Sequence, residues 1–141
     1  KRNRVVFLVK DGNKVVDAVG RSIDGRSPKW YRYGNSKCPF VSGSGERGAC
    51  VVEDAASACS ISSYIAGVAV LGTNLLDEHI DYLTKYPWVF VALDKDATDK
   101  AVDMVKTLCK VVPTKLMVLP RDLKNMTKDE RDDFLRNRID R

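Results

Sequence analysis

The sequence has no apolar run approaching the roughly 18 to 20 residues of a membrane span, so a spanning helix is excluded. It has a single histidine, His79, and its four cysteines (Cys38, Cys50, Cys59 and Cys109) form no Cys-x-x-Cys pair, which argues against a Cys/His zinc knuckle within the chain. Proline and glycine are sparse at 5 and 9 of 141 residues, and there is no repeat or low-complexity tract, so fibrous and disordered classes fall away. No secretory signal is recognisable: the chain opens Lys1-Arg2-Asn3-Arg4 and runs into a strand-like segment without a cleavage site. The expectation is a soluble, cytoplasmic protein without a membrane partner, and the opening lysine suggests a piece of something longer. Cys50, Cys59 and Cys109 have apolar neighbours and are expected to be reduced core thiols. His79, beside Asp77, Glu78 and Asp81, reads as a surface residue.

What is present is 44% hydrophobic and 30% charged residues in a 15.7 kDa chain, enough for one globular domain with an appendage. The net charge of +5 conceals an asymmetry: residues 1–49 carry 11 Lys/Arg against 4 Asp/Glu, whereas residues 50–141 carry 13 against 15. The basic front half suits phosphate neutralisation, because Lys and Arg displace the counterions of nucleic acids; a solvated surface is the plainer reading.

Residues 5–9 and 14–21 flank Asp11-Gly12 and read as a hairpin, with residues 30–33 as a third strand. A Gly/Ser-rich stretch over 34–48, interrupted by a short segment at 38–41, marks a border between residues 1–48 and 49–141. Beyond it the rhythm becomes strand and helix in alternation. Strands are expected at 49–52, 68–71, 88–93 and 115–119, with helices at 54–66, 75–86, 98–110 and 128–137. In the first helix the expected apolar stripe is Ala55, Ala58, Cys59 and Ser62. The pattern is that of an α/β fold, with a mainly parallel four-stranded sheet flanked by helices behind a small antiparallel β subdomain.

Ligands of open parallel sheets gather where strands end, and here those positions are acidic. The 49–52 strand ends in Glu53-Asp54, and the 88–93 strand is followed by Asp94-Lys95-Asp96. Carboxylates from two neighbouring strands would share a hard divalent cation, Mg2+ or Mn2+, and would repel one another without it. Capping of the following helices by the same carboxylates is the competing explanation.

The segments Val51-Val52-Glu53-Asp54-Ala55-Ala56-Ser57-Ala58 and Val91-Ala92-Leu93-Asp94-Lys95-Asp96 resemble the TOPRIM domain of topoisomerases, bacterial-type primases and some nucleases. Several further segments resemble the primase branch. They are Val70-Leu71-Gly72-Thr73-Asn74-Leu75, Lys100-Ala101-Val102, Gly20-Arg21, Pro28-Lys29-Trp30-Tyr31, and Leu119-Pro120 with Asp122. The similarity spans almost the whole chain and is greatest to the primase half of bacteriophage primase-helicases. Asp54 and Ser57 depart from the family's glycine and aspartate, and the turn at Ala97-Thr98-Asp99 is one residue short.

The resemblance implies a magnesium-dependent nucleotidyltransferase that synthesises short RNA primers on single-stranded DNA from ribonucleoside triphosphates. Glu53, Asp94 and Asp96 would be the catalytic and metal-holding residues, with Glu53 as ligand or general base. Asp54, Asp99 and Asp122 would either add to the metal set or cap helices. Arg21 and Lys29, supported by Arg26 and Arg32, would contact phosphates, and Trp30, Tyr31 and Tyr33 would stack bases or pack. Zinc-binding and helicase modules would lie outside this sequence. A TOPRIM nuclease and a non-catalytic module binding nucleic acid or a replication protein are the alternatives, because the acidic cluster does not distinguish synthesis from cleavage.

Overall fold

Strand-forming residues appear first as β1 (Arg4–Asp11) and β2 (Lys14–Ser22), joined through a two-residue turn in which Gly12 sits at φ +63°, a region that glycine enters without steric cost. The computed structural model describes residues 3–25, 27–71 and 74–139, apart from the side chain of Lys124. Arg26 and the Gly72-Thr73 pair, both singled out above, lie outside the described residues. β3 (Trp30–Arg32) completes an antiparallel sheet in the order β1-β2-β3.

The second sheet has five strands in the order β4-β6-β5-β7-β8, comprising β4 (Phe40–Ser42), β5 (Ala49–Val52), β6 (Ala66–Ala69), β7 (Val89–Val91) and β8 (Thr114–Leu116). β5, β6, β7 and β8 run parallel to their neighbours, and β4 adds antiparallel to β6 at the edge. The connections are α1 (Ala55–Ile61), α2 (Asp77–Leu83) and α3 (Thr98–Leu108), and α4 (Lys128–Ile139) follows β8. This is the mixed α/β architecture that the alternation predicts. No helix among the described residues is long and apolar enough to cross a membrane.

Period-two alternation divides the central strands between two faces. Cys50, Val52, Phe90 and Ala92 pack with Ala55, Ala58 and Ile61 of α1 and Leu135 of α4. Ala49, Val51, Val89 and Val91 pack with Leu83 of α2 and Ala101, Met104 and Leu108 of α3. The first cluster also takes in Val9, Val19 and Phe40, with Phe7 and Trp30 against it, so the antiparallel sheet is held to the parallel one through shared core. Phe7 meets Trp30 and Phe40 at ring separations of 5.8 and 5.7 Å.

α1 lies close on β6 because residue 67 is glycine: a Cβ there would come 2.3 Å from the Ala58 carbonyl oxygen. This phase of α1 buries Ala55, Ser57, Ala58 and Ile61 and turns Cys59 outward, so the expected stripe through Cys59 and Ser62 is not the one formed. Cys109, just past the end of α3, is exposed as well, and only Cys50 is a fully buried thiol. His79 also differs from expectation. It is buried, and its Nδ1 accepts the Leu76 backbone N–H at 3.1 Å at the start of α2. Burial pushes its pKa down and favours the neutral ring that such an acceptor requires.

Candidate active site

Glu53 and Asp54 leave the carboxyl end of β5 at the centre of the parallel sheet. Past β7, the backbone stays beside β5 for one more bond, from Ala92 N–H to the Val51 carbonyl, before reaching Asp94. A turn of 3-10 helix over Lys95–Ala97 follows, closed by Ala97 N–H on the Asp94 carbonyl at 2.8 Å. Parallel pairing of β5 and β7 thus brings Glu53 and Asp94 together, although 40 residues separate them.

The Asp94 backbone N–H donates to the Glu53 carboxylate, and the two side chains are also within hydrogen-bonding range. Burial raises the Glu53 pKa first and the Asp94 charge raises it further, with a smaller push from Asp96; the Asp94 N–H offsets only part of this. The result is a carboxyl group that titrates at about 7. Glu53 Oε1 is buried and has no hydrogen-bond partner. A buried carboxylate oxygen without a donor, against a second carboxylate, suits a hard cation with oxygen ligands. Asp96 stands exposed at the rim, and among the described residues no three His, Cys, Asp or Glu side chains converge into one ligand cluster.

The other acidic candidates have different positions. Asp54 adopts the extended backbone of an N-cap, and its Oδ1 accepts the Ser57 N–H at 2.8 Å, so the capping role is realised there. Asp99 is exposed in the first turn of α3. Asp122 is half-buried and precedes the 3-10 turn Leu123–Asn125, where its carbonyl accepts Asn125 N–H.

A cleft of about 440 Å³ opens over the carboxylates, lined on one side by Glu53, Asp54, Leu71 and Asp94. The antiparallel sheet supplies the other side through Val19, Lys29, Trp30, Tyr31 and Arg32. Of the basic candidates, Lys29 and Arg32 therefore border the carboxylates. Arg32 is already engaged, by Asp17 through Nε at 2.9 Å and by the Ser36 carbonyl. Arg21 stacks its guanidinium over the Trp30 ring, 5.7 Å from its centroid. Trp30 is half-buried against Phe7, while Tyr31 and Tyr33 meet edge to face at 5.0 Å.

Sequence reasoning did not single out Asp17 or Val19, and it met Leu71 only within the 70–75 segment, with no role given to it. Asp17 and Val19 fall on the inward face of β2, and an acidic residue in that alternation is the one signal that marked the position. Leu71 has a backbone φ of +61°, which no sequence pattern announces.

No family model matches the sequence, and no curated protein matches it. Solved structures do. A DNA primase domain from Pseudomonas aeruginosa superposes with a TM-score of 0.78 at 22% identity, covering 100% of this chain and 51% of that one. The catalytic domain of DnaG primase bound to single-stranded DNA gives 0.76 at 20% identity over 96% of this chain and 51% of that one. The E. coli primase catalytic core gives 0.76 at 20% identity over 99% and 52%. The chain thus spans about half the length of these structures, and over that span its fold is the fold of bacterial-type DNA primase catalytic cores.

Proposed function

We propose that this chain is part of a DNA primase catalytic core, with residues 1–48 as its basic subdomain and residues 49–141 as its TOPRIM domain. In this reading it joins ribonucleotides into short primers along a single-stranded DNA template, releasing pyrophosphate. The supporting observation is the cleft in which the buried, donorless Oε1 of Glu53 and its neighbour Asp94 are bordered across the gap by Lys29. Carboxylates alone would repel a triphosphate; a cation between them and a lysine opposite make the same cleft attractive to one.

Glu53 and Asp94 would hold a divalent cation, Mg2+ or Mn2+, with Asp96 at the rim. Such an ion supplies charge neutralisation on the triphosphate and on the in-line transition state. Lys29 binds phosphate oxygens and orients the α-phosphate. Two roles are open to Glu53: ligand, or acceptor of the proton leaving the attacking 3′ hydroxyl. Arg21, stacked over Trp30 and not among the residues lining the cleft, would meet template phosphates rather than the triphosphate. A template-reading zinc module and a helicase, encoded outside this sequence as in phage primase-helicases, are the partners this reading calls for.

The test is incubation of the chain with single-stranded DNA, ribonucleoside triphosphates and Mg2+. New oligoribonucleotides support priming. Cleaved DNA without synthesis assigns the cluster to a nuclease, and nucleic-acid binding with neither product assigns it to a non-catalytic module.

A further inference from the structure

The end of the parallel sheet opposite Glu53 and Asp94 has a groove of its own. Trp88 stands immediately before β7 and Thr114 begins β8, so the groove of about 460 Å³ that they line with Phe90, Pro113, Lys115 and Arg138 opens at the amino ends of these strands. Its lining includes two cations and no acid. Among the described residues neither Lys115 nor Arg138 is in an ion pair, and the Arg138 guanidinium lies over the Phe134 ring, 5.0 Å from its centroid. Trp88 is fixed in place. Its carbonyl accepts the Ala49 N–H at 3.1 Å, and its indole Nε1 donates to the Arg47 carbonyl at 2.8 Å. Residue 48 is glycine where the ring approaches: a Cβ there would come 2.5 Å from Trp88 Cδ1. The pyrrole edge is thus held from two sides, yet the residue remains 47% exposed. A lysine on an edge strand discourages pairing with another strand, and the end of α4 favours Arg138 through its dipole. Neither effect accounts for a tryptophan kept in one orientation, half in water, in the same groove.

We infer that this groove binds single-stranded nucleic acid without regard to sequence, with Trp88 as the platform on which a base stacks and Lys115 and Arg138 as contacts for the flanking phosphates. The inference goes beyond the polymerising role and does not depend on it. A base presents a flat π face whatever its identity, and its strand carries a negative charge at every step, so a fixed aromatic surface beside cations matches both parts of the ligand. The complementarity is one of charge: with no acid in the lining, an anionic occupant is the one favoured, whereas the carboxylates of the cleft need a cation before they attract a phosphate. A strand anchored here lies at the far end of the sheet from Glu53 and Asp94. It can stay attached while another part of it passes through the cleft.

Binding of fluorescent oligo-dT and oligo-U is measured by anisotropy from low to moderate salt, for the unaltered chain, Trp88→Leu, Trp88→Phe, and Lys115→Ala combined with Arg138→Ala, with thermal midpoints to show that each is folded. Trp88→Leu keeps apolar bulk and removes stacking, so it should weaken binding about tenfold and leave the salt slope unchanged. Trp88→Phe keeps a ring and should retain most of the affinity. The double variant should lower the slope of log affinity against log salt by about 1.4, the value for two single-strand phosphate contacts. Losses seen with both oligonucleotides support the inference for DNA and RNA alike, and losses confined to one support it for that strand. Unchanged affinity and slope in the folded variants overturns it and leaves the primase reading standing. A change in sedimenting mass of the chain with oligonucleotide binding unaltered also overturns it, and assigns the groove to a protein contact. Intact binding at the groove in a chain that makes no primers upholds the inference and removes the primase reading alone.

Discussion

Asp17 and Arg32 meet at 2.9 Å between Oδ2 and Nε, with the aspartate side chain fully buried and the arginine about a third exposed. The same carboxylate accepts the backbone N–H groups of Ala18 at 2.7 Å and Ser36 at 3.1 Å. It therefore ties β2, β3 and the following loop together behind the cleft wall. Burial pushes the Asp17 pKa up, but these donors and the Arg32 charge outweigh it and hold the group below the usual carboxylate value.

Because the folded value lies below the unfolded one, the stabilisation from Asp17 is complete above about pH 4 and disappears as the pH falls through the folded value. Urea denaturation between pH 7 and pH 2 should show this loss in the unaltered chain. Asp17→Asn should flatten that part of the profile. At pH 7, Asp17→Ala should cost about 2 kcal/mol, less than a wholly buried pair would, because Arg32 can turn to water. Parallel pH profiles for the unaltered chain and Asp17→Asn would show that the network carries no such stability.

Gly67 governs how closely α1 can approach the sheet. In Gly67→Ala the new methyl group would sit 2.3 Å from the Ala58 carbonyl oxygen and 2.6 Å from the Ala58 Cα, so backbone must move. The displacement would lift α1, and with it the Asp54 cap next to Glu53. A stability loss of about 3 kcal/mol is expected, the upper part of the usual range for overpacking, read from urea midpoints. A change below about 0.5 kcal/mol would mean that α1 does not rest on β6 as described.

The parts of this molecule legible in its sequence are those governed by local periodicity. Alternating apolar strands and amphipathic helices announce the parallel sheet, and positions that follow a strand are readable one strand at a time, which is how Glu53 and Asp94 come into view. The parts not legible depend on phase or on distant partners. Cys59 and Ile61 are two residues apart on a short helix, and the phase that buries Ile61 is the one in which Ala58 rests on Gly67, a partner outside the local pattern. His79 looks like a surface residue among acids because the Leu76 N–H that it accepts is set by the chain's path and not by local pattern. β4 joins β6 across 24 intervening residues, counted from Ser42 to Gly67, a pairing that no short-range signal specifies.

The Glu53 carboxyl, raised to about 7 by burial and by Asp94, gives a pH dependence of opposite sign to that of Asp17. A carboxyl whose folded value exceeds its unfolded one favours folding while it is protonated, and that contribution is lost as pH rises from about 4.5 through about 7. With chelator present, the thermal midpoint should therefore decline over that window in the unaltered chain and not in Glu53→Gln. Mg2+ at pH 8 should raise the midpoint of the unaltered chain and leave Glu53→Gln unmoved. Priming should fall about a hundredfold or more in Glu53→Gln and Asp94→Asn, both remaining folded. Full activity in either variant would remove the pair from the site.

Lys29 and Arg21 are both near Trp30 but face different tasks. Lys29 lines the cleft with Glu53 and Asp94, whereas Arg21 covers the Trp30 ring and is not among the residues lining that cleft. Lys29→Ala should therefore weaken ATP and tripolyphosphate alike, by about tenfold each, since one charge-assisted phosphate contact is lost. Arg21→Ala should leave both ligands unchanged and weaken single-stranded DNA, reducing the slope of log affinity against log salt by about one. Titrations of fluorescent oligonucleotides from low to moderate salt would measure that slope. Loss of ATP binding in Arg21→Ala, or an unaltered salt slope with it, would place both basic residues on the same ligand and undo the division between substrate and template.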